Sequence, residues 1–151
     1  MKTLQRYITE KILINKNSKI EYNYHPETKD ELKAIIKQKI ESGGNECNLN
    51  DIDTSNITDM SYLFEDSEFN GDISKWNMSN VTNMQYMFRF SEFNGDISNW
   101  DVSNVKYMNS MFSQSNFNGD ISKWNVSNVR NMKDVFYNCP IEEKYKPKFK
   151  K

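Results

Sequence analysis

The chain has 151 residues, room for one domain with one core, and its 13% aromatics and eight Met stand beside a single Ala, so that core is built from large side chains. The net charge of −1 conceals segregation: residues 1–44 carry nine Lys/Arg against six Asp/Glu, residues 45–138 six against thirteen, and residues 139–151 five against two. An acidic body does not attract phosphate backbones, and no apolar run approaches the ~18 residues needed to span a membrane.

Taken in chain order, Leu4, Tyr7, Ile8 and Ile12 recur at three- and four-residue spacing and predict a short helix over about 3–13. That stretch is broken by charges and lacks a signal-peptide core, which predicts a cytoplasmic protein; an export signal in the native gene would instead make it a surface protein. Ile20, Tyr22 and Tyr24 alternate and predict an extended piece. Thr28-Lys-Asp-Glu31 reads as a capping box opening a helix whose apolar stripe is Leu32, Ile35, Ile36 and Ile40 and whose end is Gly43-Gly44. Residues 1–44 are therefore read as an N-terminal helical cap on the rest of the chain.

Residues 45–143 are dominated by a repeat. Asp72-Ile-Ser-Lys-Trp-Asn-Met-Ser-Asn-Val81 returns as Asp96–Val105 and Asp120–Val129, with Trp76, Trp100 and Trp124 spaced by 24 and Gly71, Gly95 and Gly119 likewise. A weaker copy precedes them at Leu49, Ile52, Ser55-Asn56-Ile57 and Met60, which makes four units. A fixed period in the twenties is the mark of a stacked repeat. Short strands are expected near 51–54, 75–78, 99–102 and 123–126, from the period-2 end of Ile-x-x-Trp-x-Met/Val. Short helices are expected near 57–65, 81–89, 105–113 and 129–137, where Val81, Met84, Met87 and Phe88 take helical or 3₁₀ spacing and Ser79 or Asn80 stands as N-cap. Glycine in Phe93-Asn94-Gly95-Asp96 is read as supplying a turn conformation that other residues resist.

The motif Trp100-Asp-Val-Ser-Asn-Val-Lys-Tyr-Met108 resembles the W-[DN]-V-S-N-V-x-x-M core of the BspA-type, leucine-rich-repeat-like units of bacterial surface proteins. The resemblance covers about two thirds of the chain. It implies an α/β repeat solenoid of four 24-residue strand–short-helix coils with a parallel sheet, and a role in adhesion or ligand binding.

Pro140 is read as stopping the stack, and residues 144–151 as a solvated basic tail. Cys47 and Cys139 stand about four coils apart; at ~4.8 Å per coil that exceeds the ~7 Å limit for a disulfide, so both are expected to be reduced. His25 is the only histidine and reads as a loop residue before Pro26, which leaves no basis for a triad or a multi-His metal site. The Gly-Asp pairs are read as turn-capping carboxylates rather than calcium ligands, because a cation needs six to eight oxygens. The sequons at Asn56, Asn77, Asn80 and Asn125 are by-products of the repeat. No phosphate loop or activated nucleophile is visible, so neither an enzyme nor a cofactor is expected.

Rows that vary between units are the candidate recognition surface. Asp53, Lys75, Asn77, Asn99, Asp101, Lys123 and Asn125 fall on the predicted sheet face, while Phe90 and Tyr137 are rival anchors on the helix side. The sequence therefore predicts a non-enzymatic, monomeric protein–protein interaction module, with nucleic acid touching at most the basic tail. One version is a phage- or mobile-element-encoded blocker of a host enzyme. The alternative is a surface adhesin-like repeat protein that binds host protein or glycan.

Overall fold

A computed structural model describes residues 21–150. The predicted helix over 3–13 and the Ile20 end of the predicted extended piece lie outside the described residues.

Helix α1 spans Lys29–Gly43, as the capping box predicts. Thr28 Oγ1 accepts from the Glu31 amide at 3.2 Å, and the Glu31 carboxylate reaches back to the Glu27 amide at 2.7 Å, one residue before the usual box partner. Gly44, at φ 79°, turns the chain out and returns its amide to the Ile40 carbonyl at 2.8 Å. Leu32 and Ile36 are buried in the same core as the repeats, and Ile35 and Ile40 pack at its margin. Lys29 ties α1 to the first unit through Ser61 Oγ at 2.7 Å, and Lys39 does so through Asp51 at 2.7 Å. Just before α1, Tyr24 forms a single parallel bridge to Ile52.

The expected leucine-rich-repeat-like solenoid, with its parallel sheet and four short helices, is not what forms. Among the described residues there is one α-helix, one 3₁₀ turn (Glu143–Tyr145) and no strand. Where strands were expected the chain is irregular, with turns at 74–75, 98–99 and 122–123. Where helices were expected lie six-residue turn segments, 61–66, 85–90, 109–114 and 133–138. The physical reason is the use made of the amides. Met60, Tyr62, Phe64 and Asp66 donate to the carbonyls of Asn83, Gln85, Met87 and Arg89, at 2.8–3.1 Å, and the same pattern recurs one unit later. An amide spent on the neighbouring unit cannot close a helix's own i→i−4 ladder.

Each turn segment also holds two residues with left-handed backbone, at Tyr62 and Asp66, Tyr86 and Phe90, Ser110 and Gln114, Asp134 and Asn138. A left-handed residue every fourth position breaks a right-handed helix and costs an L residue about 1–2 kcal/mol. Gln114 is exposed and its side chain makes no hydrogen bond to a described residue, so Gln114→Gly should raise stability by about 0.5–1 kcal/mol after glycine's extra unfolded-state entropy. Urea titration checks this, and a loss of stability would show that the position carries no strain.

The units stack in register. Single parallel bridges link Asp59 to Asn83, Asn83 to Tyr107 and Tyr107 to Asn131. Inside, Phe64, Phe88, Phe112 and Phe136 form one column, with centroids 5.5, 5.5 and 5.9 Å apart. Phe69, Phe93 and Phe117 form a second at 6.2 and 6.4 Å. Each indole N–H donates to a carbonyl 27 residues earlier: Trp76 to Leu49, Trp100 to Ile73 and Trp124 to Ile97. At the surface Asn80, Asn104 and Asn128 donate to carbonyls 25 residues earlier, those of Ser55, Ser79 and Ser103. The Ser-Asn pair is thus a unit-to-unit tie and not a helix N-cap.

The glycines of the repeat act by absence of a side chain rather than by unusual backbone. Gly71, Gly95 and Gly119 have no positive φ, but a Cβ on any of them would meet the ring of the phenylalanine two residues earlier at 2.7–2.8 Å. The end of the chain is not a free tail. Ile121 donates to the Tyr145 carbonyl at 3.0 Å, Pro147 is buried, and Phe149 packs on Phe136 at 6.5 Å.

Candidate functional site

The predicted recognition row proves to be occupied with turn formation. Asp53, Asn77, Asp101 and Asn125 each use Oδ1 to accept the amide of the serine two residues on, at 3.0–3.1 Å. Asp and Asn offer the same acceptor oxygen, so their alternation along this row follows from a turn that tolerates both. Asp53 additionally faces His25 Nδ1 at 3.3 Å. Hydrogen bonds from their own serines hold Asp72, Asp96, Asp101 and Asp120 below the ordinary carboxylate range. For Asp53 and Asp59 partial burial pushes upward, and the serine bonds with His25 or Lys29 outweigh it. Lys75, Asn99 and Lys123 are exposed, and Asn99 and Lys123 line a pocket with Asp96, Ser98 and Asp120.

The apolar surface lies elsewhere. The large exposed hydrophobic side chains among the described residues are Tyr62, Phe90, Tyr107, Met132 and Tyr137. All five sit on or just before the turn segments, and none on the Asp-Ile-Ser-x-Trp arm. Four side chains there form one cluster. Tyr62 stacks on Tyr86 at 4.8 Å, and the Arg89 guanidinium lies 4.5 Å from the Tyr86 ring and 5.1 Å from Phe90. Arg89 is fixed in turn by Glu65, whose Oε1 accepts from Nε at 2.7 Å. Lys29 extends the cluster from α1, 5.9 Å from the Tyr62 ring.

Of the two rival anchors, Phe90 belongs to this cluster and Tyr137 stands two units away, in the column of Glu65 and Arg89. Sequence reasoning missed Tyr62, Tyr86 and Arg89 as a group. The available signal was that Tyr62 and Tyr86 fill the same slot of consecutive units, 24 residues apart.

The chemistry available elsewhere is sparse. Cys47 and Cys139 are free, and burial pushes both thiols above their usual range. Among the described residues no group of three or more His, Cys, Asp or Glu is placed to hold a metal ion, and no helix is long and apolar enough to cross a membrane.

No curated protein and no solved structure matches the chain. Residues 32–148, which contain most of α1 and all four repeat units, match the family described as "Mycoplasma protein of unknown function, DUF285", and the chain belongs to that family.

Proposed function

We propose that this chain is a non-enzymatic protein-binding module that uses the lateral strip Tyr62, Tyr86, Arg89 and Phe90. The observation that carries this reading is the preorganised stack: two tyrosines 4.8 Å apart with a guanidinium held over the second. Tyrosine and arginine are among the side chains that dominate binding energy at interfaces, and here little rotamer entropy remains to be lost on binding. The strip supplies the aromatic anchors that the polar row around Lys75 and Lys123 lacks.

Affinity capture from the native host, with paired variants as bait, tests the proposal. Tyr62→Ser with Phe90→Ser should abolish capture of the partner seen with the wild type, while Lys75→Glu with Lys123→Glu should retain it, both at an unchanged melting temperature. Loss only with the lysine pair would move the site to the Trp-bearing arm; retention by both would remove the lateral reading. The Trp-Asp-Val-Ser-Asn-Val motif favours one second reading, a surface adhesin-like protein that binds host protein or glycan. Release of the protein by protease treatment of intact native cells would support that reading over an intracellular one.

A further inference from the structure

The stack ends on an unfinished rung. In the first three units the amides at the turn segment point to the following unit: Met60 to Asn83, Met84 to Tyr107 and Met108 to Asn131, with three more such bonds in each unit. In the last unit the equivalent amides are those of Met132, Asp134, Phe136 and Asn138, and none of them donates a hydrogen bond to a described residue. The side chains record the same gap. Met84 and Met108 are 0% and 1% exposed, whereas Met132 in the same slot is 40% exposed. The terminal segment closes the other arm through the Ile121 amide, and on the turn arm it reaches the ring of Phe136 through Phe149 and Lys146 but takes none of the four amides. At the opposite end of the stack α1 lies along Leu63 and Phe64, so the two ends are not treated alike.

We infer that this terminal edge is a docking site for an acidic segment of another protein, which adds one rung to the stack. Main-chain carbonyls at two-residue spacing are what the four amides require, as each inner unit receives them from the turn segment of the next. The charge selects the occupant. Arg130 and Lys133 flank the edge, both are exposed, and neither has a carboxylate partner among the described residues. Lys148 and Lys150 lie in the terminal segment, also without a carboxylate partner among the described residues. Across residues 130–138 the cations Arg130 and Lys133 outnumber the single carboxylate, Asp134, and favour carboxylate side chains along the incoming segment. This edge is distinct from the Tyr62–Phe90 strip, so either reading can fail without the other.

Amide hydrogen exchange on the full chain, monitored by NMR, tests the inference with synthetic peptides of about ten residues that alternate Glu with Thr or Lys with Thr. In the free protein the amides of Met132, Asp134, Phe136 and Asn138 should exchange fast, and those of Met108, Ser110, Phe112 and Gln114 slowly. The Glu peptide should protect the four terminal amides and the Lys peptide should not. Arg130→Glu with Lys133→Glu should weaken the Glu peptide by roughly tenfold or more. Slow exchange of the four amides in the free protein would mean that the edge is already closed. Equal protection by both peptides, or by neither, would overturn the acidic occupant. Protection that grows with protein concentration alone would assign the edge to a second copy of the chain.

Discussion

Trp100→Ala should lower the unfolding free energy by about 3–5 kcal/mol, a large share of the ~5–15 kcal/mol typical of a domain. Three losses add. The indole leaves a cavity between Phe88 and Trp124, whose rings lie 6.3 and 6.2 Å away. Its N–H no longer satisfies the Ile73 carbonyl at 3.1 Å. The third loss is register, because that bond spans adjacent units. Trp100→Phe separates these terms: it keeps most of the packing and should cost about 1–3 kcal/mol for the orphaned carbonyl and the smaller ring. Urea titration of both variants reads the difference. A loss below about 1 kcal/mol for the alanine variant would mean that the Phe columns alone hold the stack.

What the sequence made legible was whatever depends on one residue type in one slot. Thr28, Glu31 and Gly44 marked both ends of α1, and Leu32 and Ile36 marked its buried stripe. The 24-residue recurrence of Trp76, Trp100 and Trp124 placed them in the core, where they are buried. Backbone conformation was another matter. Val81, Met84, Met87 and Phe88 are all buried, so their three- and four-residue spacing truly reports one inward face. A helix and a run of tight turns can both present that face, and the choice lies in where the amides go. Here they go to the next unit, a long-range fact that no local window contains.

The candidate surface was obscured for a related reason. Variation between Asp and Asn at 53, 77, 101 and 125 resembled freedom for recognition, but a single acceptor oxygen is all that the turn uses. The Tyr62–Tyr86–Arg89 cluster depends instead on outward positions of adjacent units being brought side by side. Phe90 was legible as an anomaly, since the matching slots hold Asp66, Gln114 and Asn138.

Gly71→Ala should be the most damaging glycine substitution in the repeats, at about 3 kcal/mol or more. The reasoning turns on what a new methyl group would strike. At Gly95 a Cβ would meet the Phe93 ring at 2.8 Å, and at Gly119 the Phe117 ring at 2.8 Å. Those rings are side chains, yet Phe93 is wedged between Phe69 and Phe117 and rests on Phe88 at 4.5 Å, so it yields only with strain. Gly95→Ala should therefore cost about 1–3 kcal/mol. At Gly71 the Cβ would stand 2.0 Å from the Cys47 carbonyl oxygen as well as 2.7 Å from Phe69. Backbone cannot step aside by rotating a side chain. That carbonyl accepts the Asp72 amide at 3.2 Å, within the bridge that joins Asn48 to Asp72. Relief of the clash must open this junction between the first two units. Thermal melts should rank Gly71→Ala below Gly95→Ala, and the Asp72 amide should lose its exchange protection only in the former. Equal melting temperatures for the two would mean that the phenylalanine rings, and not the approach of the two backbones, exclude a side chain at this slot.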